Sequence, residues 1–146
     1  MEARISIITL GVADLDRARA FYEKMFGWQP TANLPEIAFY DLGGLIFSLY
    51  PHDSLAKDYG GEVKLSPYKG FALAHNLRSI QQVDACFDEL KAKEARIIKE
   101  PEPTFWGGYS GYISDLDGHV WEIAYNPFWT ILGDGSIVMQ PCEEQG

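Results

Sequence analysis

The chain repeats itself, and few properties of a sequence restrict its fold more. Leu15, Ala18, Tyr22 and Met25 fall at helical spacing, with Phe21 beside them. Ile80, Val83, Phe87 and Leu90 carry the same spacing 65 residues later. A strand-like run precedes each helix, residues 4–12 (RISIITLGV) and 71–77 (FALAHNL), with Ile7 and Phe71 matching at an offset of 64. Asp14 is placed to cap the first helix and Gly27 to end it. Ser79 and Gln82 form a capping box for the second. Strands follow each helix. In the first half these are a strand within residues 32–41, the turn Gly43-Gly44, and residues 45–50 (LIFSLY) closed by Pro51. In the second half they are a short strand over 95–98, a break at Pro101 and Pro103, and two strands, 109–114 and 120–125. Asp115, Leu116, Asp117 and Gly118 supply the turn between that last pair. The order strand, helix, strands, twice over, predicts an α+β fold. Each helix would cover one sheet face, and the other faces would curl around a shared cavity.

Between the halves, residues 52–69 are polar and read as a connecting loop. After Pro127, Gly133-Asp134-Gly135 predicts a terminal hairpin or a flap over the sheet. Cys86 sits in the apolar helical pattern and is expected in the core, and Cys142 falls in a polar tail, so no disulfide is expected between them.

Composition narrows the function. The formal net charge is -9, without a Lys/Arg cluster, which argues against nucleic acid and against anionic membrane surfaces. No apolar run approaches the ~20 residues that span a bilayer. The N-terminus lacks the pattern of a signal peptide, so a cytoplasmic location is expected. Gly107-Gly108 is not a phosphate loop, and neither a Ser-His-Asp nor a Cys-His pattern is present.

The residue that stands out is Glu122, an acid between Trp121 and Ile123 in an otherwise apolar strand. Alternation turns Trp121 and Ile123 toward a helix layer and Glu122 the other way. Glu122 is then either a cavity carboxylate that binds a ligand or moves a proton, or a structural acid hydrogen-bonded inside the sheet. Trp106 and Tyr109 flank Gly107-Gly108 near the expected cavity rim, and Phe71 is expected to face inward. His75, four residues beyond Phe71, is assigned to the same face, near the cavity mouth. His119 is expected on the solvent or helix side, and His52 in the loop.

The repeat, Val12-Ala13-Asp14-Leu15 at the first helix entry and the stretch from Asp115 to Ile123 (DLDGHVWEI) together resemble the vicinal oxygen chelate superfamily, the group of glyoxalase I, bleomycin-resistance proteins and extradiol dioxygenases. The resemblance implies one glyoxalase-like domain over 1–146. It would hold two βαβββ modules, about 4–52 and 70–127, forming a rolled mixed sheet around a shared cavity, with a tail over 128–146. It also implies a partner of the same kind, a second copy of the chain in a homodimer. Metal-using members place four ligands in the cavity, and the matching positions here are Ile7, Ser48, Phe71 and Glu122. Of these only Glu122 is a competent ligand. The resemblance therefore implies metal-independent binding of an aromatic or cationic small molecule, in the manner of bleomycin-resistance proteins. Ile7, Ser48, Phe71, His75, Trp106, Tyr109 and Glu122 would line the site. The alternative is a metal-dependent lyase or isomerase of the glyoxalase type, built on Glu122 and non-standard ligands. A third reading has Glu122 and Tyr109 as a metal-free acid/base pair.

Overall fold

The computed structural model describes residues 1–139, apart from the side chain of Asn33; Cys142 lies outside the described residues. The described residues divide into two compact units, residues 1–69 with 115–119, and residues 70–114 with 120–139.

In the first unit the elements are β1 (Ile7–Val12), α1 (Leu15–Phe26), β2 (Ala32–Asn33), β3 (Ala38–Asp41), β4 (Ile46–Pro51) and α2 (His52–Asp58). The sheet runs β1-β4-β3-β2, with β1 and β4 parallel and the other pairs antiparallel. The signals at the ends of α1 act as expected. The Asp14 side chain accepts from Arg17 N, and Gly27 takes the left-handed conformation at φ 70°. Leu15, Ala18, Phe21 and Tyr22 are buried against the sheet-side apolar residues Tyr40, Phe47 and Leu49. Tyr22 anchors this core, its ring 5.0 Å from that of Phe47 and stacked at 6.0 Å on Trp28.

The second unit holds β5 (Leu73–Leu77), α3 (Ile80–Ala92), β6 (Arg96–Pro103), β7 (Tyr109–Ser114) and β8 (Val120–Tyr125), then the hairpin β9 (Trp129–Ile131) and β10 (Ile137–Met139). Its four-stranded sheet runs β5-β8-β7-β6, the same order and the same single parallel pair as in the first unit. The Ser79 side chain caps α3 by accepting from Gln82 N, and the Gln82 side chain returns to Arg78 N. Val83, Phe87 and Leu90 are buried beneath α3, together with Ile113, Trp121 and Ile123 of the sheet. The α+β class and the two βαβββ modules are thus present.

Four local expectations need correction. Residues 52–69 are not all loop, because His52–Asp58 forms α2. Gly11 makes room for it: a Cβ there would stand 2.5 Å from the His52 ring. Pro101 and Pro103 do not break the chain. They lie within β6, an edge strand with register shifts between Ile97 and Lys99 and between Lys99 and Glu102. A proline on an edge strand or at a bulge removes no ladder hydrogen bond. Cys86 is half-buried rather than in the core, and Ile80, at the first turn of α3, is exposed. Of the two places expected for His119, solvent or helix side, burial excludes the first: its Nε2 lies 2.7 Å from the Gly11 carbonyl.

That histidine closes a knot of interactions within the first unit, which includes the segment Asp115–His119. Asp115 is buried, and its carboxylate accepts from the Tyr22 hydroxyl at 2.8 Å and from the amides of Asp117 and His119 at 3.0 and 2.8 Å. Asp117 accepts from Ala13 N at 2.8 Å. A buried carboxylate is tolerated here because hydrogen-bond donors surround it.

Candidate functional site

Register decides which side chains share a face. On β8, Trp121 and Ile123 turn to α3, as the alternation predicts, so Glu122 stands on the opposite face. Its neighbour in register on β5 is Ala74, and on β7 it is Tyr112. One strand further, Lys99 of β6 is in register with Tyr112. The next row of the same face carries Ala124, Ser110 and Glu102. These two rows form the floor of a cavity of about 260 Å³, lined also by Pro103, Thr104, Phe105 and Trp106. The wall is the β6–β7 connection. Thr104 closes it by exchanging backbone hydrogen bonds around Gly107 and Gly108 and accepting from Gly108 N through its Oγ1. Gly108 must be glycine, since a Cβ would collide with the Trp106 indole at 2.0 Å.

The chemistry centres on Glu122. The half-buried Tyr112 hydroxyl donates to Glu122 Oε2 at 2.5 Å. That hydrogen bond, then desolvation, then the carboxylate's charge push the Tyr112 phenol up to about 12. Tyr112 therefore stays protonated at neutral pH and acts as a donor. Ser110, nine-tenths and more buried, puts its hydroxyl-bearing side chain on the same floor. At the rim, Lys99 Nζ pairs with Glu102 Oε1 at 2.8 Å, both side chains more than half exposed. Phe105 is fully exposed at the mouth.

The sequence-predicted residues divide. Glu122 and Trp106 meet in this cavity. Tyr109 does not: it is in register with Tyr125, on the α3 side, and its hydroxyl donates to Asp84 of α3 at 2.6 Å. That bond raises its pKa above the ordinary phenol value. His75 is in register with Ile123, so it too lies on the α3 side, away from Glu122, and partial desolvation lowers its pKa. Phe71 precedes β5 and is exposed; the β5 residues that share Glu122's face are Ala74 and Asn76. Ile7 and Ser48 belong to the first unit, Ile7 exposed at the start of β1 and Ser48 fully buried in β4. The residues that sequence reasoning missed are Tyr112, Ser110, Lys99 and Glu102. Tyr112 and Ser110 could have been found by pairing outward from the turn, from Ser114 with Val120 to Tyr112 with Glu122. Lys99 and Glu102 could not, because bulges set their register.

A divalent metal does not fit this floor. Two carboxylates line it, Glu122 and Glu102, but Glu102 is tied at the rim to the Lys99 ammonium, and the rest of the lining offers neutral hydroxyls, where such an ion needs about three N, O or S donors. Among the described residues no group of three His, Cys, Asp or Glu side chains could hold a metal. Two other hollows lie elsewhere: one of about 490 Å³ beside α2, lined by Asp53, Lys57 and Glu62 among others, and one of about 240 Å³ beside β9, lined by Arg78, Tyr125 and Asn126 among others. Among the described residues no helix is long and apolar enough to cross a membrane.

Residues 4–123 match the model of the Glyoxalase/Bleomycin resistance protein/Dioxygenase superfamily. Among solved structures, a glyoxalase-related enzyme from Fulvimarina pelagi is similar at 35% identity and a TM-score of 0.87, over 96% of this chain and 100% of that one. The fosfomycin resistance protein FosX from Listeria monocytogenes is similar at 27% identity and a TM-score of 0.66, over 86% and 95%. A lactoylglutathione lyase from Agrobacterium tumefaciens shares the fold at 22% identity and a TM-score of 0.69, over 86% and 95%. No curated protein matches.

Proposed function

The chain belongs to the Glyoxalase/Bleomycin resistance protein/Dioxygenase superfamily, and from that premise we propose that it binds a small organic cation with an aromatic body, without a resident metal. The observation that carries this reading is the Glu122–Tyr112 pair on the cavity floor beside Trp106. Tyr112 holds one carboxylate oxygen and orients the group. The second oxygen remains for a ligand's ammonium or N–H. Trp106 offers an aromatic wall for stacking and cation–π attraction, worth roughly 1 kcal/mol in a partly desolvated site. At about 260 Å³ the cavity suits one ring with a short substituent. Glu122 is thus a ligand-binding residue. The pairing of Glu122 with Tyr109 for acid/base work lapses, because the two side chains stand on opposite faces of the sheet.

Two measurements test this. Calorimetric titration with 4-methylbenzylamine should show binding that Glu122→Gln abolishes while the circular dichroism spectrum is kept. Binding that is unchanged in Glu122→Gln would refute the reading. Elemental analysis of the purified protein separates it from a metal-dependent lyase: stoichiometric Ni, Zn, Mn or Fe that is lost in Glu122→Ala would favour the lyase.

A further inference from the structure

Resting on that reading of the cavity, we propose that the ligand is zwitterionic: Glu122 takes its cationic group, and Lys99 takes an anionic group such as a carboxylate. The argument starts from strand geometry. Lys99 and Glu102 are three residues apart, and in a regular strand they would point to opposite faces. In β6 they do not. Lys99 is in register with Tyr112 and Glu102 with Ser110, both on the Glu122 face, because Glu100 and Pro101 together oppose the single residue Gly111. A Cβ at Gly111 would stand 2.8 Å from both Lys99 O and Pro101 N, so the bulge depends on that glycine. Bulges re-aim side chains, and this one delivers a cation to the rim of an acidic cavity.

Among the described residues Lys99 forms an ion pair with Glu102 alone, at 2.8 Å, with the two side chains 55% and 58% exposed. Such an exposed pair holds weakly and exchanges readily. A ligand anion can replace Glu102 as the partner of Lys99 at little cost. Glu122 and Lys99 stand on strands two steps apart, with Tyr112 between them. Neighbouring strands are ~4.8 Å apart, so the two backbones are separated by about 10 Å, and both residues line the same cavity as Tyr112. Opposite charges at the two ends of one aromatic ring match that span.

The probes are 4-(aminomethyl)benzoate, which carries both charges, and 4-methylbenzylamine, which carries only the cation. Affinities are read by amide chemical-shift titration. Wild type should bind the zwitterion roughly tenfold more tightly than the cation, the scale of one charge-assisted hydrogen bond. Lys99→Met should erase that ratio, the zwitterion losing its advantage over the cation. Glu102→Gln, which frees Lys99, should raise the ratio. Equal affinities in wild type, or a ratio that survives Lys99→Met, would overturn the proposal. If the cation binds through Glu122 but the zwitterion gains nothing, only this inference fails. If neither probe binds, or Glu122→Gln binds both as wild type does, the cavity reading fails and this inference with it.

Discussion

The third residue of β4 and the third residue of β8 occupy the same place in two sheets of identical order. In β4 it is Ser48, between Thr9 and Phe39; in β8 it is Glu122, between Ala74 and Tyr112. Ser48 is fully buried, and its hydroxyl finds no hydrogen-bond partner among the described residues. Glu122 is half-buried, with a donor beside it and a cavity in front. One strand position thus holds a buried hydroxyl in one module and a cavity-lining carboxylate in the other. The antiparallel neighbours differ too: Tyr112 can donate a hydrogen bond, and Phe39 cannot. Asp115 shows what full burial of an acid demands in this protein, namely a hydroxyl and two amides at once.

The sharpest way to break the comparison is to move the acid. Ser48→Glu puts a carboxylate into a fully buried position, with Thr9 and Phe39 as its neighbours in register, and should cost about 4 kcal/mol, read from urea unfolding. A variant as stable as wild type would show that the first module tolerates the charge after all. Asp115→Ala strips the buried donors of their acceptor and should cost about 3 kcal/mol by the same measurement. Gly111→Ala should cost about 2 kcal/mol, because its Cβ meets Phe87 at 2.6 Å and the β6 bulge at 2.8 Å.

A pH titration sharpens the Glu122 side. The Tyr112 phenol is raised to about 12 from an ordinary 10. Between those values the unfolded chain releases this proton and the folded chain keeps it. The stability it contributes is therefore complete below pH 10 and is lost as pH rises toward 12. Ultraviolet difference titration of wild type against Tyr112→Phe should show the late phenol, and Glu122→Gln should return it toward 10. The smallest effect is Ser48→Ala, which removes a buried hydroxyl that lacks a partner; it should change stability by under about 1 kcal/mol, toward greater stability.

Much of the fold was legible because local chemistry and tertiary demand agree. Asp14, Gly27 and Ser79 mark helix ends where they stand, and the apolar spacings of α1 and α3 are the faces that are buried. The face assignment of Glu122 followed from alternation in β8. His75 and Tyr109 were harder: alternation fixes parity within a strand, while register between strands decides which parities meet. Phe71 lies before β5 begins, so counting from it carried no information about that strand's faces. Proline suggested a break in β6 because the sequence does not reveal that the strand is an edge.

The central claim is that the Glu122 carboxylate, oriented by Tyr112, captures an organic cation on the open face of the second sheet. Amide chemical shifts recorded during addition of 4-methylbenzylamine to wild type and to Glu122→Gln test it most directly. The account predicts shifts clustered at Ser110, Tyr112, Glu122 and Trp106 in wild type and none in the variant. Shifts elsewhere on the molecule, or the same shifts without the carboxylate, would contradict it.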